Sequence, residues 1–134
     1  DTYFRSGSLT RLLPSSGKKD GVLGAFVLKD KDPKWSFAKV DGDGVVVKTA
    51  EKEQISSYAL TGMYHFSRAE DFFNVFKYHA EQKILFKNEY YVAPMYNYLI
   101  AQGKKFVLNL CDSFQPLGTP EDVESFIDHG KNES

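Results

Sequence analysis

The run Val22-Leu23-Gly24-Ala25-Phe26-Val27-Leu28 contains no polar side chain. A strand with one face in water alternates apolar and polar residues, so an unbroken apolar run of strand length is expected to be covered on both faces. A chain carrying such a strand has to supply a layer on each side of a sheet. At 134 residues it can do so as one compact domain, burying roughly two-thirds of the surface that its unfolded form exposes. A hydrophobic content of 42% against 26% charged is enough to exclude wholesale disorder.

The other segments alternate around that strand. Leu9, Leu12 and Leu13 share a helical face that Pro14 ends, and Ser15 to Gly21 reads as a polar connection. Trp35 to Val40 and Val45 to Lys48 flank Asp41-Gly42-Asp43-Gly44, whose residues tolerate positive φ, which predicts a hairpin with an exposed tip. Ser57 to Phe66 reads as a strand interrupted by a small Thr61-Gly62 step, with Glu51-Lys52 at the end of the strand before it. Ser67-Arg68-Ala69-Glu70 has capping-box spacing and leads into Phe72, Phe73, Phe76 and Ala80 at near-helical intervals. A helix over 91–102 carries Val92, Met95, Tyr96, Leu99 and Ile100 on one stripe and stops at Gly103. Phe106 to Leu110 reads as a strand. Thr119-Pro120-Glu121-Asp122 sets a capping hydroxyl, a first-turn proline and two acids before Val123, Phe126 and Ile127, and His129 to Ser134 reads as a frayed tail. Mixed strands and helices in this order predict an α/β domain over 1–127 with a flexible tail over 128–134.

Several chemistries are set aside. A net charge of −1 gives no basic footprint for nucleic acid. No run of transmembrane length and no signal segment is present, and the single Cys111 cannot form an internal disulfide, so a cytoplasmic setting is expected. His65, His79 and His129 lack metalloprotease spacing, Ser6-Gly7-Ser8 is not a nucleophile elbow, and the twelfth position counted from Asp41 is Lys52 rather than the closing Glu of an EF-hand. An acid-base pair beside a strand broken by a glycine suits a polyhydroxylated phosphate.

Five short motifs in order carry a resemblance. Asp1-Thr2-Tyr3-Phe4, Glu51-Lys52, Tyr58-Ala59-Leu60-Thr61-Gly62-Met63-Tyr64, Glu89-Tyr90-Tyr91 with Asn97, and Leu117-Gly118-Thr119-Pro120-Glu121-Asp122 together resemble the sugar-phosphate nucleotidyltransferases, the nucleoside-diphosphate-sugar pyrophosphorylases. The match runs from Asp1 to about Phe126 and is to the C-terminal half of such an enzyme. It implies a partial GT-A-type, Rossmann-like fold, a mixed sheet flanked by helices. It also implies a reaction in which a sugar 1-phosphate attacks the α-phosphate of a nucleoside triphosphate, giving a nucleotide-sugar and pyrophosphate, with charge on the phosphoryl oxygens met by Mg²⁺ and cationic side chains.

Residue by residue, the resemblance implies Asp1 as a Mg²⁺ ligand, Glu51 as acceptor for sugar hydroxyls, and Lys52 as the catalytic point charge on the sugar phosphate. Thr61 and Gly62 would line the sugar floor and Glu89 would contact a sugar hydroxyl. Structural roles compete with each of these, since Gly62 can mark a bulge, Tyr58 and Tyr64 can be core aromatics, and Glu89 can be a first-turn acid. Two departures stand out. Pro116 occupies the place of the family's second metal-ligand aspartate, and the Gly-rich, Arg-containing nucleotide loop with its following lysine is not in this chain. The chain is therefore expected to be the acceptor half of a longer enzyme, inactive alone, or else a noncatalytic sugar-phosphate-binding or assembly module. An uncovered sheet edge and apolar surface would then favour self-association.

Overall fold

The computed structural model describes residues 2–9 and 19–132. Its strands are β1 (Thr2–Arg5), β2 (Gly21–Val27), β3 (Ser36–Val40), β4 (Val46–Glu51), β5 (Tyr58–Phe66), β6 (Phe106–Leu110) and β7 (Ser113–Pro116), and its helices are α1 (Ala69–Glu81), α2 (Val92–Ala101) and α3 (Pro120–Asn132). The helix expected around Leu12 and Leu13, with the start of the connection after it, falls outside the described residues.

β2 lies inside a five-stranded sheet of order β4-β3-β5-β2-β6, antiparallel to β5 and parallel to β6. Its residues from Gly21 to Ala25 are buried, as the unbroken apolar run requires. On one face Leu23, Ala25 and Leu60 form a core with Val75 of α1 and Met95, Tyr96 and Leu99 of α2. On the other, Phe114 stacks on Phe26 with ring centroids 4.0 Å apart and meets Trp35 edge-on at 5.4 Å. Phe114 reaches that face because β7 pairs with β1 in a two-stranded antiparallel ribbon, which the residue pattern did not announce. Tyr3 then holds α3 through Phe126 at 5.1 Å.

Two further expectations change. α1 begins at Ala69 without the capping box: Arg68 is the extended N-cap residue and makes no side-chain cap. The Ser67 hydroxyl instead donates to the Lys19 carbonyl at 2.8 Å, because the end of β5 is tied to the chain entering β2. The reciprocal cap appears at α3, where Thr119 N–H donates to Asp122 Oδ2 at 3.0 Å and Asp122 N–H to Thr119 Oγ1 at 3.2 Å. α3 then runs through Asn132, so the segment read as a tail is helical up to that residue.

β4 is an edge strand whose outward backbone groups need partners. α2 provides them. Asn97 Oδ1 accepts from Thr49 N–H at 2.8 Å, Asn97 Nδ2 donates to Thr49 C=O at 2.9 Å, and the Thr49 hydroxyl donates to Ala93 C=O at 2.6 Å. One side chain thus completes both backbone groups of a buried residue. Replacing Asn97 by Ala is expected to cost about 2–4 kcal/mol, since two buried polar groups lose their partners. Urea unfolding measures this, and a loss below about 0.5 kcal/mol would contradict the clamp.

Candidate functional site

The hairpin that carries Glu51 is set by its register. Ser36 pairs with Glu51 and Lys39 with Lys48, but Val40 pairs with Val46, so β4 holds one extra residue at Val47. That bulge brings Glu51 opposite Ser36; an unbulged ladder would put Ala50 there. Glu51 is the buried last residue of β4. The Ser36 hydroxyl donates to its Oε2, and Lys52 Nζ lies 3.4 Å from its Oε1.

Lys52 turns the chain out of the strand with φ +53, and its N–H donates to the Trp35 carbonyl at 2.9 Å. Its ammonium also donates to the Lys34 carbonyl at 3.2 Å and lies 5.6 Å from the centre of the Tyr91 ring. It is about one-third exposed while the Glu51 side chain is almost wholly covered. The pair therefore presents its positive end outward.

Tyr91, the N-cap residue of α2, brings in the next acid: its hydroxyl donates to Glu89 Oε2 at 2.6 Å. That bond, followed by burial and by the charges of Glu89 and Glu51, raises the Tyr91 phenol above its ordinary range. Tyr64 completes the inner wall. Burial pushes its phenol up to about 12, the Ser36 hydrogen bond pulls it back in part, and the Glu51 charge adds to the rise. Behind it, Tyr96 is raised chiefly by burial, and its hydroxyl is buried without a hydrogen-bond partner.

Glu51, Lys52 and Glu89 are thus brought together at the meeting of β4 and the start of α2. Thr61 and Gly62 sit elsewhere along β5, and no hydrogen bond or ion pair among the described residues joins them to Glu51. Two extra residues of β5 stand opposite Gly24, between the pairs Leu23–Tyr64 and Ala25–Leu60. Gly62 takes φ +91 at this bulge, with open space where a Cβ would be. Thr61 Oγ1 accepts from Met63 N–H at 3.3 Å and lies where a Cβ on Gly24 would be only 2.4 Å away. Both residues shape the strand.

Asp1 lies outside the described residues. Thr2 pairs with Pro116, so the position lacking the second aspartate is beside the start of β1. Pro116 offers no side-chain donor, Asp112 Oδ2 accepts from Gly7 N–H at 2.8 Å, and no group of three His, Cys, Asp or Glu among the described residues could hold a metal. A cleft of about 470 Å³ between the ribbon and α3 contains none of Glu51, Lys52 or Glu89.

Ser36 escaped the sequence reading, whereas Tyr64, offered there as a candidate core aromatic, does pack against the core. The hairpin pattern carried the only available signal for Ser36, and the bulge at Val47 displaced it by one residue. Among the described residues no helix is long and apolar enough to cross a membrane.

A mixed sheet covered by helices on one face and by the β1–β7 ribbon on the other, with an acid-base pair where a hairpin strand ends, defines an α/β domain. Comparison with solved structures sharpens this. The chain is similar to a nucleoside-diphosphate-sugar pyrophosphorylase from Vibrio cholerae RC9, at 33% identity and a TM-score of 0.75, over 84% of this chain and 48% of that one. It also shares its fold with a protein described as a glucose-1-phosphate thymidylyltransferase from Bacillus anthracis, at 17% identity and a TM-score of 0.68, over 93% of this chain and 49% of that one. No family model and no curated protein matches. The chain carries part of the sugar-phosphate nucleotidyltransferase fold, as the five motifs implied, and spans about half the length of these two proteins.

Absorbance titration at alkaline pH tests the electrostatics of the inner wall. Of the eight tyrosines, Tyr64 and Tyr96 are expected to ionise well after the exposed ones. Because the folded value for Tyr64 lies above its ordinary 10.0, its contribution to stability is fully present below about pH 10 and is lost as pH rises through about 12. Eight tyrosines titrating together near pH 10 would contradict the arrangement.

Proposed function

We propose that this chain supplies the acceptor-binding part of a nucleotidyltransferase that joins a sugar 1-phosphate to a nucleotide and releases pyrophosphate. The observation that carries the reading is the Ser36–Glu51–Lys52–Tyr91–Glu89 cluster. Glu51 is held from both sides, so its carboxylate has one orientation in which to accept from a sugar hydroxyl. Lys52 is partly exposed and tethered near the Tyr91 ring, a point charge suited to a phosphate dianion. Glu89 is exposed and offers a second acceptor for a hydroxyl. Likeness to a nucleoside-diphosphate-sugar pyrophosphorylase at 33% identity supports this assignment.

In this reading Lys52 neutralises the attacking phosphate while Glu51 and Glu89 fix the ring, so that the phosphate oxygen is presented in one direction. Positioning of this kind is the larger part of phosphoryl and nucleotidyl transfer, in which the protein forms no covalent bond to the group transferred. Magnesium and Asp1 belong to the proposal only as what the resemblance implies. A second reading, a noncatalytic sugar-phosphate-binding module, is favoured by one observation: Pro116 stands opposite Thr2, where a carboxylate would be needed.

Calorimetric titration of the chain with a sugar 1-phosphate tests the shared core of both readings. Lys52→Met is expected to weaken binding about tenfold or more, and the unphosphorylated sugar to bind the original chain correspondingly less well. Equal affinity for the phosphorylated and plain sugar, or an unchanged affinity in Lys52→Met, would overturn the assignment of the phosphate to Lys52.

A further inference from the structure

The outward face of α1 carries a pattern that the acceptor site does not use. Asp71, Val75 and His79 are its buried residues, which turns Ala69, Phe73, Phe76 and Ala80 away from the core on one stripe spaced four, three and four residues apart. Such 4-3-4 spacing is the seam of a helix that packs on another helix. Phe73 is 66% exposed and Phe76 41%, and Phe76 continues sideways into Tyr90, 44% exposed with its ring centre 5.8 Å away. An aromatic surface of this kind left in water marks an interaction site.

The stripe is complementary to itself. We propose that the chain forms a homodimer through α1, the two helices antiparallel about a two-fold axis passing between Phe73 and Phe76. In that arrangement Phe73 of each copy meets Phe76 of the other, and Ala69 meets Ala80. The small residues at both ends let the helices approach. Flanking the same seam, Glu70 of one copy lies beside Lys77 of the other, twice by symmetry. Within one copy these two charges have only solvent-exposed partners, Arg68 for Glu70 and Glu81 for Lys77, which contribute little and leave both free to exchange. A two-fold interface has to be self-complementary, and the order Glu70, Phe73, Phe76, Lys77 satisfies that condition. A second copy also accounts for both the aromatic seam and its flanking charges. One helix face falls short of the roughly 1,000 Å² of a stable interface, so the dimer is concentration-dependent. The apolar surface expected to drive self-association is thus found on a helix, while the Thr49 edge of the sheet is closed by Asn97.

Sedimentation velocity of the 134-residue chain, from about 10 µM to about 1 mM, is the test. The weight-average mass is expected to rise from 15.2 kDa towards twice that value. Phe73→Glu is expected to abolish the rise with an unchanged circular dichroism spectrum, since the residue is exposed. Glu70→Lys alone and Lys77→Glu alone should each weaken association about tenfold, and the double variant should restore it. A monomer at every concentration would overturn the proposal and leave this face to a different partner. So would a dimer that survives Phe73→Glu, or a double variant no better than either single one.

Discussion

Most of the site depends on one polar clamp, the Asn97 amide closed over both backbone groups of Thr49. An edge strand left open would exchange its outward N–H and C=O groups with water or another chain, and its end would wander. The clamp fixes β4 to α2 two residues before Glu51 and six residues after Tyr91. It therefore sets the distance between the two segments that bear Glu51, Lys52 and Tyr91. The Thr49 hydroxyl on Ala93 C=O secures the same join one turn earlier on the helix.

From that join outward, each feature of the site has a local cause. The extra residue at Val47 brings Glu51 into line with Ser36. The left-handed turn at Lys52 ends the strand and leaves its ammonium between the carboxylate and the Tyr91 ring. Tyr64, pressed behind Ser36, adds bulk and a hydroxyl to the wall, and burial raises its phenol further above the range in which it would carry charge. On the far face, the Phe26–Phe114 stack couples the sheet to the ribbon in which Thr2 and Pro116 meet. The hairpin that ends at Glu51 and the β1–β7 ribbon are thus parts of one packed unit.

Much of this was legible in the residues. The unbroken run from Val22 announced a strand covered twice, and the spacing of Met95, Tyr96 and Leu99 announced the helix that covers one side. Glu51, Lys52 and Glu89 were singled out through a resemblance and not through periodicity, and the fold sets them at the meeting of β4 and the start of α2. What stayed hidden has identifiable physics. A bulge at Val47 has no compositional mark, and a slip of one residue decides which side chain faces Glu51. The β1–β7 ribbon joins segments more than a hundred residues apart and is held by Phe114 and Tyr3 packing outside their own strands. Ser67 carried the spacing of a cap, but tertiary contact with Lys19 took its hydroxyl. At Thr61 and Gly62 the bulge offered as the competing reading is present, since a Thr-Gly step accommodates a ligand and a bulge equally well.

On the proposed function, the end of the bulged hairpin and the start of α2 form one site for a phosphorylated sugar. Amide chemical-shift mapping during titration with a sugar 1-phosphate tests it most directly. The account predicts saturable shifts concentrated at Ser36, Glu51, Lys52, Glu89 and Tyr91. Shifts confined to the cleft between the ribbon and α3, around Arg5 and His129, or no saturable shifts at all, would contradict it.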